Sequence, residues 1–370
     1  MELLKNVLEK INENGFEAYI VGGFVRDTLL DKNPTDVDIA TNAREKDLMW
    51  IFKSAKGVKE YGAVKMSAGK YNIDITTFRE ESDLNNGRPN IVKYVDDLDT
   101  DVLRRDFTIN ALCFDSKFNL IDKVDGKKDL NNKLIKVIGN TKERFDEDPL
   151  RILRALRFMT VLDFNLSKDI LFYLKNEGYN LSKINHEKRK KELDKIFASK
   201  NLYKFVTVVK KYKLEPFLGI KFNKVLRTGN SVGIWAQIEY DKEYNFTKQE
   251  RELIEKIKEI VFSKKIDKMT IYEYGNYVTL IAADILKKPS KRINQIYMSL
   301  PIKDKSEIDI TSKEICDSLN ITPSKELGSI YKELEKMIVY GKIENRKEII
   351  ISYLTKKGER NERFKRKLKK

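Results

Sequence analysis

The feature that most constrains this chain is a double glycine, Gly22-Gly23, which cuts short the apolar run Glu17 to Val21 (EAYIV) and precedes Asp36-Val37-Asp38. The apolar run predicts a short buried strand, and two glycines after it place a tight turn or a close backbone approach to a ligand. Phe24 to Leu30 then reads as a helix whose first N–H groups face that turn, an arrangement that suits phosphate, with Arg26 adding a cation. Asp36 and Asp38 flank Val37, so on a strand of period two both carboxylates share one face while Val37 and Ile39 take the other. Paired carboxylates repel unless a divalent cation neutralises them, and Mg²⁺ favours carboxylate and phosphate oxygens. Asp-Val-Asp alone also fits a solvated acidic turn. The glycines and Arg26 beside it favour a metal-nucleotide site.

Composition narrows the partners. A net charge of +16 over 370 residues points to a polyanion, nucleic acid before membrane, since no spanning segment stands out; a lysine-rich composition without such a partner is the alternative. Cys113 and Cys316 are isolated thiols, which fits a reducing cytoplasm and argues against a disulfide framework or a cysteine zinc site. Met1 to Gly15 reads as an amphipathic helix with no signal-peptide core. His186 is the single histidine. That excludes His-rich metal centres and reads as a helix-start residue.

Along the chain, residues 1 to 140 mix strands and helices. A helix is expected over Glu45 to Phe52, a turn region over Gly57 to Gly62, and a hairpin from Ala63 to Ser67 and Tyr71 to Phe78. Within the second strand Asp74 faces opposite to Ile73 and Ile75, either joining Asp36 and Asp38 or standing exposed. Glu80 to Leu103 is polar, acidic and turn-rich, the pattern of a mobile loop. From Asp148 onward the pattern is helical with short loops, including single helices over Ile271 to Leu286 and Asn345 to Leu354. The terminal Thr355 to Lys370 carries nine basic residues, a solvated arm near phosphates or a frayed end.

Asp148 and Pro149 supply an N-cap and a first-turn proline. Only 18 of the 73 basic residues are arginine, yet Glu143 to Thr160 holds four arginines and no lysine. At 100° per residue Arg151, Arg154 and Arg157 share one side of the helix, opposite Ile152, Leu153, Ala155, Leu156 and Met159. Guanidinium matters where forked hydrogen bonds meet a planar partner. Asp148, one turn before Arg151, completes a donor and acceptor pair that matches the edge of a base.

Taken together, GGFVRD with DVD at Gly22 to Asp38, DITTFR at Asp74 to Arg79, NGRP at Asn86 to Pro89, RRDFTINAL at Arg104 to Leu112, DGKKDL at Asp125 to Leu130 and EDPLRILRALRF at Glu147 to Phe158 resemble the class II tRNA nucleotidyltransferases and bacterial poly(A) polymerases. Pro323, Gly328, Leu334, Gly341 and Asn345 are spaced as in the family's C-terminal helices, and HEKRKKEL at His186 to Leu193 keeps Glu187 and Glu192, with Lys188 where the family has arginine.

The resemblance implies an α+β fold: a DNA polymerase beta-like nucleotidyltransferase head of mixed sheet and helices (1–140), then an all-α neck (141–200), body (201–310) and tail (311–370). It implies Mg²⁺ held by Asp36 and Asp38, with Asp74 as a possible third carboxylate. Gly22, Gly23 and Arg26 would hold a triphosphate, and Arg105, Asp106 and Asn110 would meet the nucleotide's phosphate and ribose. Asp148 and Arg151 would pair with the base of CTP or ATP, supported by Arg154 and Arg157. The implied reaction adds C, C and A to the tRNA 3′ end in the cytoplasm, the body and tail binding the acceptor arm. The loop with Gly87 and Arg88 would mark a chain able to add the terminal A. A poly(A) or A-adding enzyme, and a non-catalytic RNA-binding protein, are the competing readings.

Overall fold

The computed structural model describes the chain except residues 54, 59–62, 86–87, 323–325 and 369–370, and gives backbone alone at 58, 81–85, 88–91, 326 and 358–368. Gly87 and Pro323 lie outside the described residues, as does the side chain of Arg88.

The chain forms two compact units, Met1–Phe222 with Glu239–Asn245, and Asn223–Ile238 with Phe246–Lys370. The first unit holds the sheet. Its strands are β1 (Ala18–Val21), β2 (Asp36–Thr41), β3 (Lys56–Val58), β4 (Ala63–Ala68), β5 (Tyr71–Thr77), β6 (Arg79–Asn85), β7 (Arg88–Tyr94), β8 (Cys113–Phe114) and β9 (Leu120–Ile121). Its helices begin with α1 (Glu2–Glu13), α2 (Gly23–Leu29), α3 (Glu45–Ile51), α4 (Leu98–Leu103), α5 (Gly126–Asn131), α6 (Thr141–Glu147), α7 (Leu150–Leu162), α8 (Lys168–Glu177) and α9 (His186–Phe197).

Seven strands form one mixed sheet in the order β3-β4-β5-β2-β1-β8-β9. Apolar residues at alternate positions fix its register, because a slip of one residue would turn Ile39, Ile73 and Ile75, all fully buried, toward solvent. β2 and β5 pair in parallel, Asp38 opposite Asp74, while β1 runs antiparallel to β2 with Val21 opposite Asp38. The same register therefore sets the end of β1, the paired aspartates and Asp74 side by side. α1 closes over this core through Leu4, Val7, Leu8 and Ile11.

Several elements depart from the sequence expectation. Glu80 to Leu103 is no loop: β6 and β7 form an antiparallel hairpin of their own, Arg79 opposite Tyr94, followed by α4. Gly57 sits in β3 rather than in a turn. Beyond α9 the run of helices is interrupted by Ile220–Lys221 pairing with Glu239–Tyr240.

In the second unit, helices Lys268–Ile285, Ser290–Met298, Ser312–Leu319, Glu326–Val339 and Lys347–Leu368 pack around buried Ile271, Ile293, Ile315, Leu334, Ile338 and Ile350, while Lys248–Ser263 sets Ile257 and Ile260 against Val278, Ile281 and Ala282. The helix over Lys268–Ile285 is broken at Gly275, whose φ of 75° and ψ of 167° are not helical. The last helix runs to Leu368, so the basic end continues it where the sequence suggested an arm or a frayed terminus. Asn345 ties that helix down, donating to the Glu307 carbonyl at 2.7 Å and accepting the Asp309 N–H at 2.9 Å.

Candidate active site

Gly22 ends β1 with φ 76° and ψ −136°, a conformation open to glycine and strained for other residues. A side chain there would also stand 3.5 Å from Asp38 Oδ2 and 3.7 Å from Arg105 Nη1. The turn therefore brings the start of α2 against both groups. Arg26, one turn into α2 and 8% exposed, bonds Asp27 at 2.8 Å and donates to Asn110 Oδ1 at 2.6 Å.

Asp36 and Asp38 share the solvent face of β2, as period two requires, with Val37 and Ile39 buried behind them. Asn72 donates to Asp36 at 3.1 Å and Lys65 pairs with Asp74 at 2.9 Å. The cleft desolvates Asp38, and the neighbouring Asp74 and Asp36 add repulsion, so its carboxyl is pushed up despite the attraction of Arg105. A divalent cation would offset the repulsion among these carboxylates and supply the charge they need as ligands. Asp38 and its neighbours thus fit a divalent ion in charge and ligand type.

The stretch from Arg104 to Asn110 is wired to α7. Asp101, fully buried on α4, pairs with Arg104 at 2.7 Å and Arg105 at 2.8 Å. Asp106 takes the guanidinium of Arg154, with Nε at 2.8 Å, and accepts from Asn110 at 3.2 Å. Burial would raise the Asp106 carboxyl, but Arg154 outweighs it and holds it below the usual carboxylate range. One continuous chain of hydrogen bonds thus runs Arg26–Asn110–Asp106–Arg154.

At the head of α7 Asp148 is extended and accepts the Leu150 N–H at 3.1 Å, while Pro149 already has helical dihedrals, so the helix starts as its capping residues dictate. Arg151 Nε stands 4.0 Å from Asp148 Oδ2, and its Nη1 donates to the Arg144 carbonyl at 3.1 Å and to Glu147 at 3.3 Å. Arg157 pairs with buried Glu192 of α9 at 2.5 Å.

These groups line one cavity of about 530 Å³. Gly22, Gly23, Arg26, Asp38, Arg105, Asp106, Asn110, Asp148, Arg151, Arg154 and Arg157, all named from the sequence, line it; Asp36 and Asp74 do not. Leu150 and Phe158, which fall among the arginines on the same side of α7, also line it; the sequence reading missed Arg104 as a lining residue and Asp101 as the buried partner of two arginines. The i, i+3 and i, i+4 spacing of Asp101, Arg104 and Arg105 was the available signal. Six arginines face three aspartates in the lining, the balance a polyanionic ligand needs.

Away from that cavity, His186, Asp241 and Glu243 each bring one ligand atom within 4.8 Å of the others, the one such trio among the described residues. His186 is the first residue of α9, capped by Asn185, and packs edge-on against Tyr244 at 5.0 Å.

Comparison with known proteins places this cavity in context. Residues 18–136 match the Poly A polymerase head domain family, and residues 240–354 match tRNA nucleotidyltransferase domain 2. A CCA-adding enzyme of Ligilactobacillus salivarius is 36% identical, covering 93% of this chain and 94% of the relative. One of Streptococcus uberis is 33% identical over 95% and 96%. In fold, the chain is similar to the Bacillus stearothermophilus CCA-adding enzyme in complex with CTP, with a TM-score of 0.85 at 23% identity and 98% of each chain covered. The Thermotoga maritima CCA-adding enzyme complexed with tRNA gives 0.65 at 20% identity, over 95% and 94%.

Proposed function

The chain belongs to the CCA-adding enzyme family, and we propose that it completes the 3′ end of tRNA, adding C, C and A from CTP and ATP without a nucleic-acid template and releasing pyrophosphate. The observation that carries this is 36% identity to a CCA-adding enzyme over 93% of the chain, far beyond the residues 18–136 that match the polymerase head. A shared head alone would leave poly(A) synthesis equally open.

Roles follow from the chemistry each position offers. Asp36 and Asp38 are the residues that would hold Mg²⁺, with Asp74 adjacent on β5. Such an ion, when bound, lowers the pKa of the attacking 3′-hydroxyl and neutralises charge on the leaving pyrophosphate. Gly22 and Gly23 let the triphosphate approach the backbone, and Arg26 offers it a cation. Arg105 presents charge from beside Asp38 toward the phosphate and ribose, and Asp106 and Asn110 act there while also holding Arg154 and Arg26.

Asp148 and Arg151 form the protein's substitute for a template. Cytosine and adenine both carry an exocyclic amine where uracil and guanine carry a carbonyl oxygen. A carboxylate accepts from the amine and repels the carbonyl, and the adjacent guanidinium donates to the ring nitrogen. One acceptor and one donor therefore suffice to admit CTP and ATP and reject the other two. In this reading the head (1–140) carries catalysis and the neck (141–200) base choice, while the body (201–310) and tail (311–370) take the acceptor arm. Among the described residues no helix is long and apolar enough to cross a membrane. The two free cysteines are buried, which accords with work in the cytoplasm.

The test is to supply purified chain and Mg²⁺ with tRNA lacking its last three nucleotides, tRNA lacking only the last, complete tRNA and an unrelated RNA, with CTP and ATP singly and together. Extension confined to the incomplete tRNAs and stopping at CCA is the expected result; long A tails on the unrelated RNA would establish poly(A) synthesis instead. Asp36→Ala, at an exposed position, should lower incorporation about a hundredfold or more while tRNA binding persists.

A further inference from the structure

Three of the cavity's arginines converge on a single ring. The guanidinium carbons of Arg26, Arg154 and Arg157 lie 5.2, 5.6 and 4.0 Å from the centroid of Phe158, within the roughly 6 Å over which an aromatic face attracts a cation. Arg154 and Arg157 share α7 with Phe158, whereas Arg26 arrives from α2. The ring is 6% exposed and meets Phe107 edge-to-face at 5.6 Å and 79°, so its plane is held from behind by another buried ring.

Each arginine has its own carboxylate as well: Asp27 for Arg26 at 2.8 Å, Asp106 for Arg154, and Glu192 for Arg157 at 2.5 Å. Arg26 is forked on the two oxygens of Asp27, with Nη1 on Asn110, and hydrogen bonds through Asn110 and Asp106 link it to Arg154. Arg157 stands outside that chain, paired with Glu192. The Phe158 face is common to all three and sets them relative to each other. Apolar volume alone does not require this, since leucine would fill the space and offer no face.

We propose that Phe158 is a positioning residue for the nucleotide, the common seat that holds Arg26 on the triphosphate side and Arg154 and Arg157 on the base side in one frame. Loss of the ring then weakens phosphate binding and base choice together. This rests on reading the cavity as a nucleotide site.

The test compares full-length Phe158→Leu, Phe158→Met and Phe158→Tyr with the unmodified chain. Affinity is measured for CTP, ATP and inorganic tripolyphosphate in the absence of tRNA. KM, kcat and incorporation of UTP are measured separately on tRNA lacking its terminal nucleotides. The aliphatic variants should bind CTP and tripolyphosphate each about tenfold more weakly, raise KM more than they lower kcat, and admit more UTP. Tyrosine, which keeps the face, should restore all three. Methionine decides the matter where leucine does not fold. Tripolyphosphate affinity unchanged in the aliphatic variants, or no tripolyphosphate binding by the unmodified chain, overturns the shared frame. Equal impairment of tyrosine and leucine also overturns it, in favour of simple packing. Because binding is read without tRNA, a chain that binds nucleotide but fails to extend tRNA refutes the proposed reaction and leaves the role of Phe158 decided by the binding ratios.

Discussion

Asp101 is wholly buried, and its cost is offset by the two arginines that hold it, Arg104 at 2.7 Å and Arg105 at 2.8 Å, with the Arg79 N–H donating at 3.4 Å. Burial works to raise its carboxyl, and the arginines outweigh it to leave it below the usual value. A folded pKa below the unfolded one means that stability is present above the unfolded value of about 3.9 and lost as pH falls through the folded one. Asp101→Asn should therefore cost about 3–5 kcal/mol at neutral pH, since two guanidiniums lose their counter-charge, and should flatten the acid limb of the stability curve; urea melts from pH 7 down to pH 3 would check both. The residues that touch the cavity were largely legible in sequence because their chemistry is compressed into short strings: Gly22-Gly23 with Arg26, Asp38 in its Asp-Val-Asp, and the arginines of α7. Their pairing was not. Asp106 holding Arg154 and Arg26 reaching Asn110 join residues 48 and 84 positions apart, and no local spacing announces a pair that the fold alone creates.

At the scale of elements, legibility follows whether an element has an apolar face. β1 is a short apolar run, β2 and the β4–β5 hairpin alternate apolar and polar residues, and each was recognised from that pattern. β6 and β7 read REESDLN and RPNIVKY, and pair with each other outside the seven-stranded sheet. A two-stranded ribbon buries too little to impose a period on its sequence, so it looked like a loop. Gly275 shows the converse. Its neighbours are periodic enough to read as one helix, and only the backbone reveals the break, which a glycine permits and a sequence pattern does not require. Gly275→Ala should lower stability by about 1–3 kcal/mol, because φ 75° with ψ 167° is strained for any side chain even where space is open. A thermal melt unchanged from the native chain would show that the two helical pieces can join without cost.

At the scale of the whole molecule, the unit that contains the cavity is not contiguous in sequence. It closes only with Glu239–Asn245, where Glu239–Tyr240 pair with Ile220–Lys221 and the Tyr244 hydroxyl donates to the Leu218 carbonyl at 2.5 Å. A fragment ending at residue 245 should unfold cooperatively, whereas one ending at residue 222 should melt earlier by several degrees and bind a dye specific for exposed apolar surface. Equal melting of the two would show that the returning segment adds nothing. The same detour sets a schedule during synthesis. At about 5–20 residues per second, the interval between Phe222 and Asn245 leaving the ribosome is roughly 1–5 s, far longer than hairpin or helix formation. For that time the nascent cavity unit waits with an unpaired strand, and it is then that a chaperone would have most to protect.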